Sequence, residues 1–235
     1  MIIIRSRRSV EDFYRAALRA GTGTAERLDA PVADRFAAFL NALHPDTPRT
    51  ALELGYGMGI YATTLARLGF RVTAVDQIPP EILRDRLAGS PGLSGRITIV
   101  QQRLESYCTS GDFGVLVAKD VLHYIEQDRV YELLSGCAHQ APGGAGHYLE
   151  VFTDIERTDR SGHNVLIDGE AAYTAGSFQA AVCDIYRDWN VHWIQSPHSE
   201  TNTGHPAGAT ASRKYFQANK ITVIATRSTN RGGNR

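Results

Sequence analysis

The 235-residue sequence is poor in sulfur, with three cysteines and two methionines. Cys108, Cys137 and Cys183 are odd in number and widely spaced, which speaks against a disulfide framework or a zinc knuckle; buried reduced thiols are expected. Five later histidines, His147, His163, His192, His198 and His205, follow no metal-ligand spacing, so no metal is expected. No window approaches the roughly 18 apolar residues of a membrane span. Met1-Ile2-Ile3-Ile4 is too short for a signal peptide, and Arg5, Arg7 and Arg8 follow it rather than precede it. A cytoplasmic protein without a membrane partner is the expectation. An excess of either charge is also lacking, since 25 basic residues balance 25 acidic ones. Affinity for nucleic acid would want a basic surplus. The expected partner is a small-molecule substrate, and the expected state a monomer or homodimer.

What the sequence does have is alternation. Short apolar runs at 51–54, 71–75, 97–100, 115–118 and 147–152 read as strands, and the stretches 60–68, 81–88 and 128–139 between them read as helices. Runs rich in Val, Ile and Leu without hairpin turns predict a parallel sheet covered on both faces. After a helix near 177–186, the runs 191–195 and 221–226 are separated by the polar stretch 196–220, which holds no helix, so they should pair antiparallel. The expectation is an α/β fold: a seven-stranded, mostly parallel Rossmann-like sheet with an antiparallel last strand and helices on both faces. Two helices precede it, one capped by Ser9 and stopped at Gly21, one following Asp29-Ala30-Pro31. They are either packing decoration or a lid, with Phe13 and Tyr14 over the pocket. Three parts are expected: a helical extension over 1–48, the sheet domain over 49–227 and a frayed tail over 228–235. The segments 156–176 and 196–215 read as long irregular loops beside the ligand-binding end of the sheet.

The first strand ends in Glu53-Leu54-Gly55-Tyr56-Gly57-Met58-Gly59. Glycine permits positive φ and close backbone approach to a ligand, so such a turn makes a nucleotide-sized slot. A dinucleotide fold wants the spacing G-x-G-x-x-G beside a pyrophosphate. Here the spacing is G-x-G-x-G and nothing basic occupies the turn. The carboxylate of Glu53 suits a cationic amino group better than a phosphate. Asp76, at the end of the next strand, can accept both hydroxyls of an adenosine ribose.

Together, Glu53-x-Gly-x-Gly-x-Gly and Asp76 resemble the first two motifs of the class I S-adenosylmethionine-dependent methyltransferases. The resemblance implies that S-adenosylmethionine is the cofactor, its methionine end facing Glu53, Gly55, Tyr56, Gly57 and Gly59, its ribose on Asp76 and its adenine beside Gln77 and Ile78. Where the family often carries an acidic residue after the third strand, this chain has Arg103. Either Gln102 or a backbone amide reads the adenine, or Arg103 stacks on it, or Arg103 faces solvent. The segment from Phe113 to Tyr124 is similar to the family's fourth strand, with Gly114 in place of its usual aspartate. That places Lys119 beside the sulfonium, with Asp120, His123 and Tyr124 near the catalytic mouth.

Lys119, His123 and Tyr124 are therefore the candidate catalytic residues. His123 is either a general base, its ordinary pKa lying near working pH, or a packing residue. Tyr14, Glu150 and Asp154 are candidate substrate contacts, the two carboxylates being alternatively solvated loop residues. The ending, Tyr186-Arg187-Asp188-Trp189, then strand, loop and strand, resembles tellurite-resistance-type methyltransferases, although Tyr186 and Trp189 are equally expected as core aromatics. The function expected is in-line transfer of a methyl group to a small molecule. The alternative is a cofactor-binding protein that does not methylate, a sensor or cofactor-assisted cyclase, which the Gly114 and Arg103 departures motivate. An NAD-dependent oxidoreductase is disfavoured by the glycine spacing and the antiparallel ending.

Overall fold

The computed structural model describes residues 1–20, 32–109, 111–159, 161–201 and 214–229. Gly21 and Asp29-Ala30-Pro31, the expected stop and start of the two N-terminal helices, lie outside the described residues, as do His205 and the end of the tail.

Five strands, β2 (Thr50–Leu54), β3 (Arg71–Asp76), β4 (Ile97–Gln101), β5 (Val115–Lys119) and β6 (Gly146–Arg157), run parallel. With β8 (Asn190–Thr201) and β9 (Lys214–Thr226) they form one sheet of order β4-β3-β2-β5-β6-β9-β8. β9 lies antiparallel to both of its neighbours, as expected for two strands joined without a crossover helix. Side chains alternate between faces, and each face builds its own core. On one face, Leu52, Leu54, Leu116 and Leu149 pack against Leu134 of α6 (Gln127–Gln140) and Phe178 of α7 (Ala175–Ile185). On the other, Ala51, Val115, Val117 and Tyr148 meet α3 (Ile60–Arg67), α4 (Glu81–Leu87) and α2 (Asp34–Asn41). A four-residue helix, α5 (Pro91–Ser94), leads into β4.

Of the two expected N-terminal helices, α2 is built into this core. Phe36, wholly buried, meets Tyr61 and Tyr148 edge-on at 4.7 and 5.1 Å. Truncating a phenylalanine so placed costs about 3–5 kcal/mol. The first helix, α1 (Arg7–Arg19), has no buried residue and lies across the mouth of the sheet. Its cap is Ser6, whose side chain accepts from the amide of Ser9, so the helix starts a half-turn before the expected cap.

The two expected long loops are partly strand. β1 (Ile2–Arg5) pairs in parallel with β7 (Asn164–Ile167) inside the 156–176 segment. The 196–215 segment continues the β8–β9 hairpin, Ser196 pairing with Lys220 and Glu200 with Phe216. These extensions stand beyond the end of the parallel strands and wall the site. A register shift between Thr153 and Glu156 bends β6, and Asp154 takes φ 52° there. Two of the three expected buried thiols, Cys108 and Cys183, are exposed; only Cys137 is buried. Among the described residues, no helix is long and apolar enough to cross a membrane.

Candidate active site

A cavity opens at the carboxyl ends of β2, β3 and β5, where a parallel sheet binds ligands. The glycine turn is one wall. Gly55, Gly57 and Gly59 have φ of 73°, 49° and 71°. At Gly55 a Cβ would fall 2.5 Å from Val121, and at Gly59 2.3 Å from Leu83, so both need glycine for space as well as for conformation. The turn is tied down by its own amides, Gly55 N–H donating to Val75 (2.7 Å) and Gly59 N–H to Tyr56 (2.6 Å). Arg86 of α4 donates to the Met58 carbonyl at 2.8 Å.

Asp76 closes the next wall. One of its carboxylate oxygens accepts the Gly57 N–H at 2.9 Å and the other the Ile78 N–H at 3.2 Å. Burial raises its pKa, opposed by these backbone donors. Glu53 lies nearly buried on the same cavity, with Tyr56, Gln77 and Lys119. Gly59 does not line it; its part is to let the chain enter α3.

The third wall was not foreseen in full. α1 presents Arg7, Val10, Glu11, Tyr14 and Leu18 to the cavity, an i, i+4 face. Only Tyr14 had been singled out; the four-residue spacing was the legible signal for the rest. Phe13 points the other way and is 64% exposed, so it does not lie over the pocket. α1 is fastened by ion pairs. Arg7 pairs with Glu105, after β4, and Arg103 with Glu11 at 3.2 Å and Glu105 at 3.6 Å. The Tyr14 and Tyr124 hydroxyls are hydrogen-bonded, their rings edge-on at 5.3 Å. Burial raises both phenol pKa values, leaving each protonated at neutral pH.

Arg103 therefore neither lines the cavity nor stacks in it; it holds α1. Gly114 also has a structural reason. It sits at the start of β5, at the far end of the strand from the cavity, and a Cβ there would lie 2.1 Å from the Pro48 carbonyl oxygen.

His123 does not reach the cavity. It is 1% exposed, its ring 4.1 Å from that of Tyr124 and 5.1 Å from that of Phe152. Burial lowers its pKa to about 3, so the ring is neutral and a poor base. Asp154 is set apart as well: it accepts from Asn219 and the Ala175 amide at 3.0 Å each and does not line this cavity, serving the bend in β6. Tyr186 is core, as its alternative reading held. Its hydroxyl meets His147 Nδ1 at 2.9 Å, and Trp189 packs on the same imidazole at 4.6 Å. Glu150 is nearly buried beside the cavity. Lys220 lies 2.6 Å from it, and the Tyr148 hydroxyl donates to it at 2.5 Å.

This sheet order, with a glycine turn after β2 and a carboxylate ending β3, defines a class I methyltransferase fold. Residues 52–145 match a family model described as a methyltransferase domain. The chain is 35% identical over 109 residues to a mitochondrial ubiquinone biosynthesis O-methyltransferase of Schizosaccharomyces pombe, spanning 46% of this chain and 38% of that protein. It is 31% identical over 122 residues to a ubiquinone biosynthesis O-methyltransferase of a Methylobacterium strain, spanning 52% and 47%. The matched stretch is thus less than half the length of either relative. Among solved structures, one described as a DhpI-SAH complex superposes with a TM-score of 0.55 at 19% identity, covering 95% of this chain and 98% of the other. Over residues 52–145 the chain is thus similar to methyltransferase domains, and its fold is that of class I methyltransferases.

Proposed function

We propose that the chain binds S-adenosylmethionine in the cavity between the glycine turn and α1 and transfers its methyl group to a small molecule. The observation that carries this reading is the pairing of Asp76 with the Gly57 amide across the cavity wall. A carboxylate offers about four lone-pair directions. The Gly57 and Ile78 amides, with that of Gln77 nearby, occupy one side of it, and the lone-pair directions left over would take the hydroxyls of a ribose.

The residues fit the group. Glu53, Gly55, Tyr56 and Gly57 would face the amino-acid end, Gln77 and Ile78 the adenine, and Lys119 the sulfur. When bound, the sulfonium supplies an electrophilic methyl carbon, and holding the acceptor in line with it supplies much of the rate. A strong base is not part of this reading. His123 packs beneath Tyr124, whose hydroxyl stays protonated, and Lys119 donates to Asp120 at 2.7 Å. Tyr124 and Tyr14 would line the acceptor's approach. We also propose that α1 is a lid, its ion pairs and the Tyr14–Tyr124 contact closing the cavity. The balanced charge supports a small-molecule acceptor rather than nucleic acid, and we propose a cytoplasmic monomer or homodimer. The reading of a donor-binding protein without transfer rested on Gly114 and Arg103, and both have packing reasons that involve no loss of chemistry.

Calorimetric titration with S-adenosylhomocysteine tests the reading. Saturable binding is expected, followed by labelled-methyl transfer from S-adenosylmethionine to an acceptor. A folded protein that binds neither compound overturns it.

A further inference from the structure

We propose that a second cavity, adjoining the first and sharing Lys119 and Asp120 with it, is the acceptor site, and that it takes a small ampholyte bearing both an amine and an acid group. This deepens the methyltransferase reading and rests on it. Two reactants joined by a direct displacement must meet at a common wall, their reacting atoms about 3–3.5 Å apart. Lys119 and Asp120 form such a wall.

The inner end of the cavity is a charge lattice. Lys119 Nζ donates to Asp120 at 2.7 Å, and Lys220 Nζ bridges Asp120 at 3.2 Å and Glu150 at 2.6 Å. Asp120 has φ 52°, outside the region a non-glycine residue ordinarily adopts, and its amide donates to the Glu150 carbonyl at 2.9 Å. Backbone strain of this kind gathers at functional sites. Here it holds a carboxylate at the junction of the two cavities. Lys119 and Lys220 outweigh the burial of that carboxylate and lower its pKa, so it stays ionised and positions rather than removes a proton.

The outer end repeats the mixture of signs. On the β8 extension, Glu200 accepts from the Tyr215 hydroxyl and faces His198 Nε2 at 3.3 Å. α2 brings Asp34 and Arg35, and among the described residues no side chain caps its N-terminus. Among the described residues, three cationic side chains (Lys119, Lys220, Arg35), four acidic ones (Asp34, Asp120, Glu150, Glu200) and His198 line the space, with only Ala33 and Phe152 apolar. A low-polarity acceptor would desolvate these charges and pair none of them. A single-sign acceptor would satisfy one set and face repulsion from the other. An ampholyte pairs both, its acid group toward Arg35, its amine toward the carboxylates.

Protein loaded with S-adenosylhomocysteine is titrated by calorimetry with free amino acids and short peptides, their methyl esters, their N-acetyl derivatives, simple phenols and aliphatic alcohols. At least one ampholyte is expected to bind, with its ester and its N-acetyl derivative weaker by about tenfold or more, the loss of one charge-assisted contact. Lys220→Met and Glu200→Gln are each expected to weaken that ampholyte about tenfold while S-adenosylhomocysteine binding stays within about threefold. Phenols, alcohols or single-sign derivatives binding as tightly as ampholytes would overturn the inference. So would a loaded protein that binds no ampholyte, or variants that leave ampholyte binding unchanged. Failure to bind S-adenosylhomocysteine at all would instead overturn the methyltransferase reading.

Discussion

Replacing Asp76 by alanine isolates the donor site. In the free protein this carboxylate holds the Gly57 and Ile78 amides at 2.9 and 3.2 Å, leaving its remaining lone pairs toward the cavity. Two ribose hydroxyls on a charged acceptor contribute about 1.5–3 kcal/mol each. Water entering the vacated space returns part of that, so a net loss near 3 kcal/mol, about 100-fold in affinity, is the expectation. Asp76→Asn keeps one acceptor oxygen and should lose about tenfold. The measurement is calorimetric titration of wild type and both variants with S-adenosylhomocysteine, with near-ultraviolet circular dichroism checking that the fold is intact. Asp76→Asn can keep its oxygen on the Gly57 amide, so its loss reports the ribose contact more than support of the turn. A folded Asp76→Ala protein that binds within about threefold of wild type would refute the assignment of this carboxylate to the ribose.

Other consequences follow from the same geometry. Gly114→Ala drives a Cβ to within 2.1 Å of the Pro48 oxygen and should cost about 1–3 kcal/mol or more in urea unfolding, with S-adenosylhomocysteine affinity unchanged; wild-type stability would contradict the packing argument. Burial lowers the pKa of His123 and of His147 from the ordinary 6.5 to about 3, so the unfolded chain takes up protons first as pH falls. The stability each buried neutral ring carries is therefore complete above pH 6.5 and lost between 6.5 and 3, by about 2 kcal/mol per histidine from pH 7 to pH 5. Urea titrations at the two pH values should show a correspondingly smaller drop in His147→Gln; an equal drop would refute it. If α1 is a lid, S-adenosylhomocysteine should slow tryptic cleavage after Arg15 and Arg19, and Tyr14→Phe, which removes the hydroxyl bridge to Tyr124, should speed it. Cleavage indifferent to the ligand would leave α1 as a fixed wall.

The parallel strands were legible because each is a short apolar run buried on both faces, a property carried by a few consecutive residues. The donor residues were legible for a similar reason. Glu53, the three glycines and Asp76 each sit at a strand end, and their spacing is dictated by the strand–turn–helix unit itself. His123 was left between base and packing residue because its sequence neighbours are site residues, whereas its burial is decided by Phe152 of β6. Asp154 was left open in the same way, since the bend it serves is set by Asn219 and α7.

Gly114 and Arg103 show where a residue's meaning lies outside its own segment. Each departs from a family pattern, and each is explained by a contact across the fold, with Pro48 in one case and with Glu11 in the other. The pairing of β1 with β7 joins residues more than 150 positions apart and has no local signature, since a parallel ladder needs only two short apolar runs. By itself, then, the amino-acid sequence determined the sheet, its one reversed strand and the residues that would hold the donor, because these follow from local periodicity and turn chemistry. The tertiary structure alone decided that α1 roofs the cavity, that His123 lies out of reach, and that Lys119, Asp120, Glu150 and Lys220 form one lattice. Those four residues come from the end of β5 and the interiors of β6 and β9, and only the folded sheet brings them within hydrogen-bonding distance.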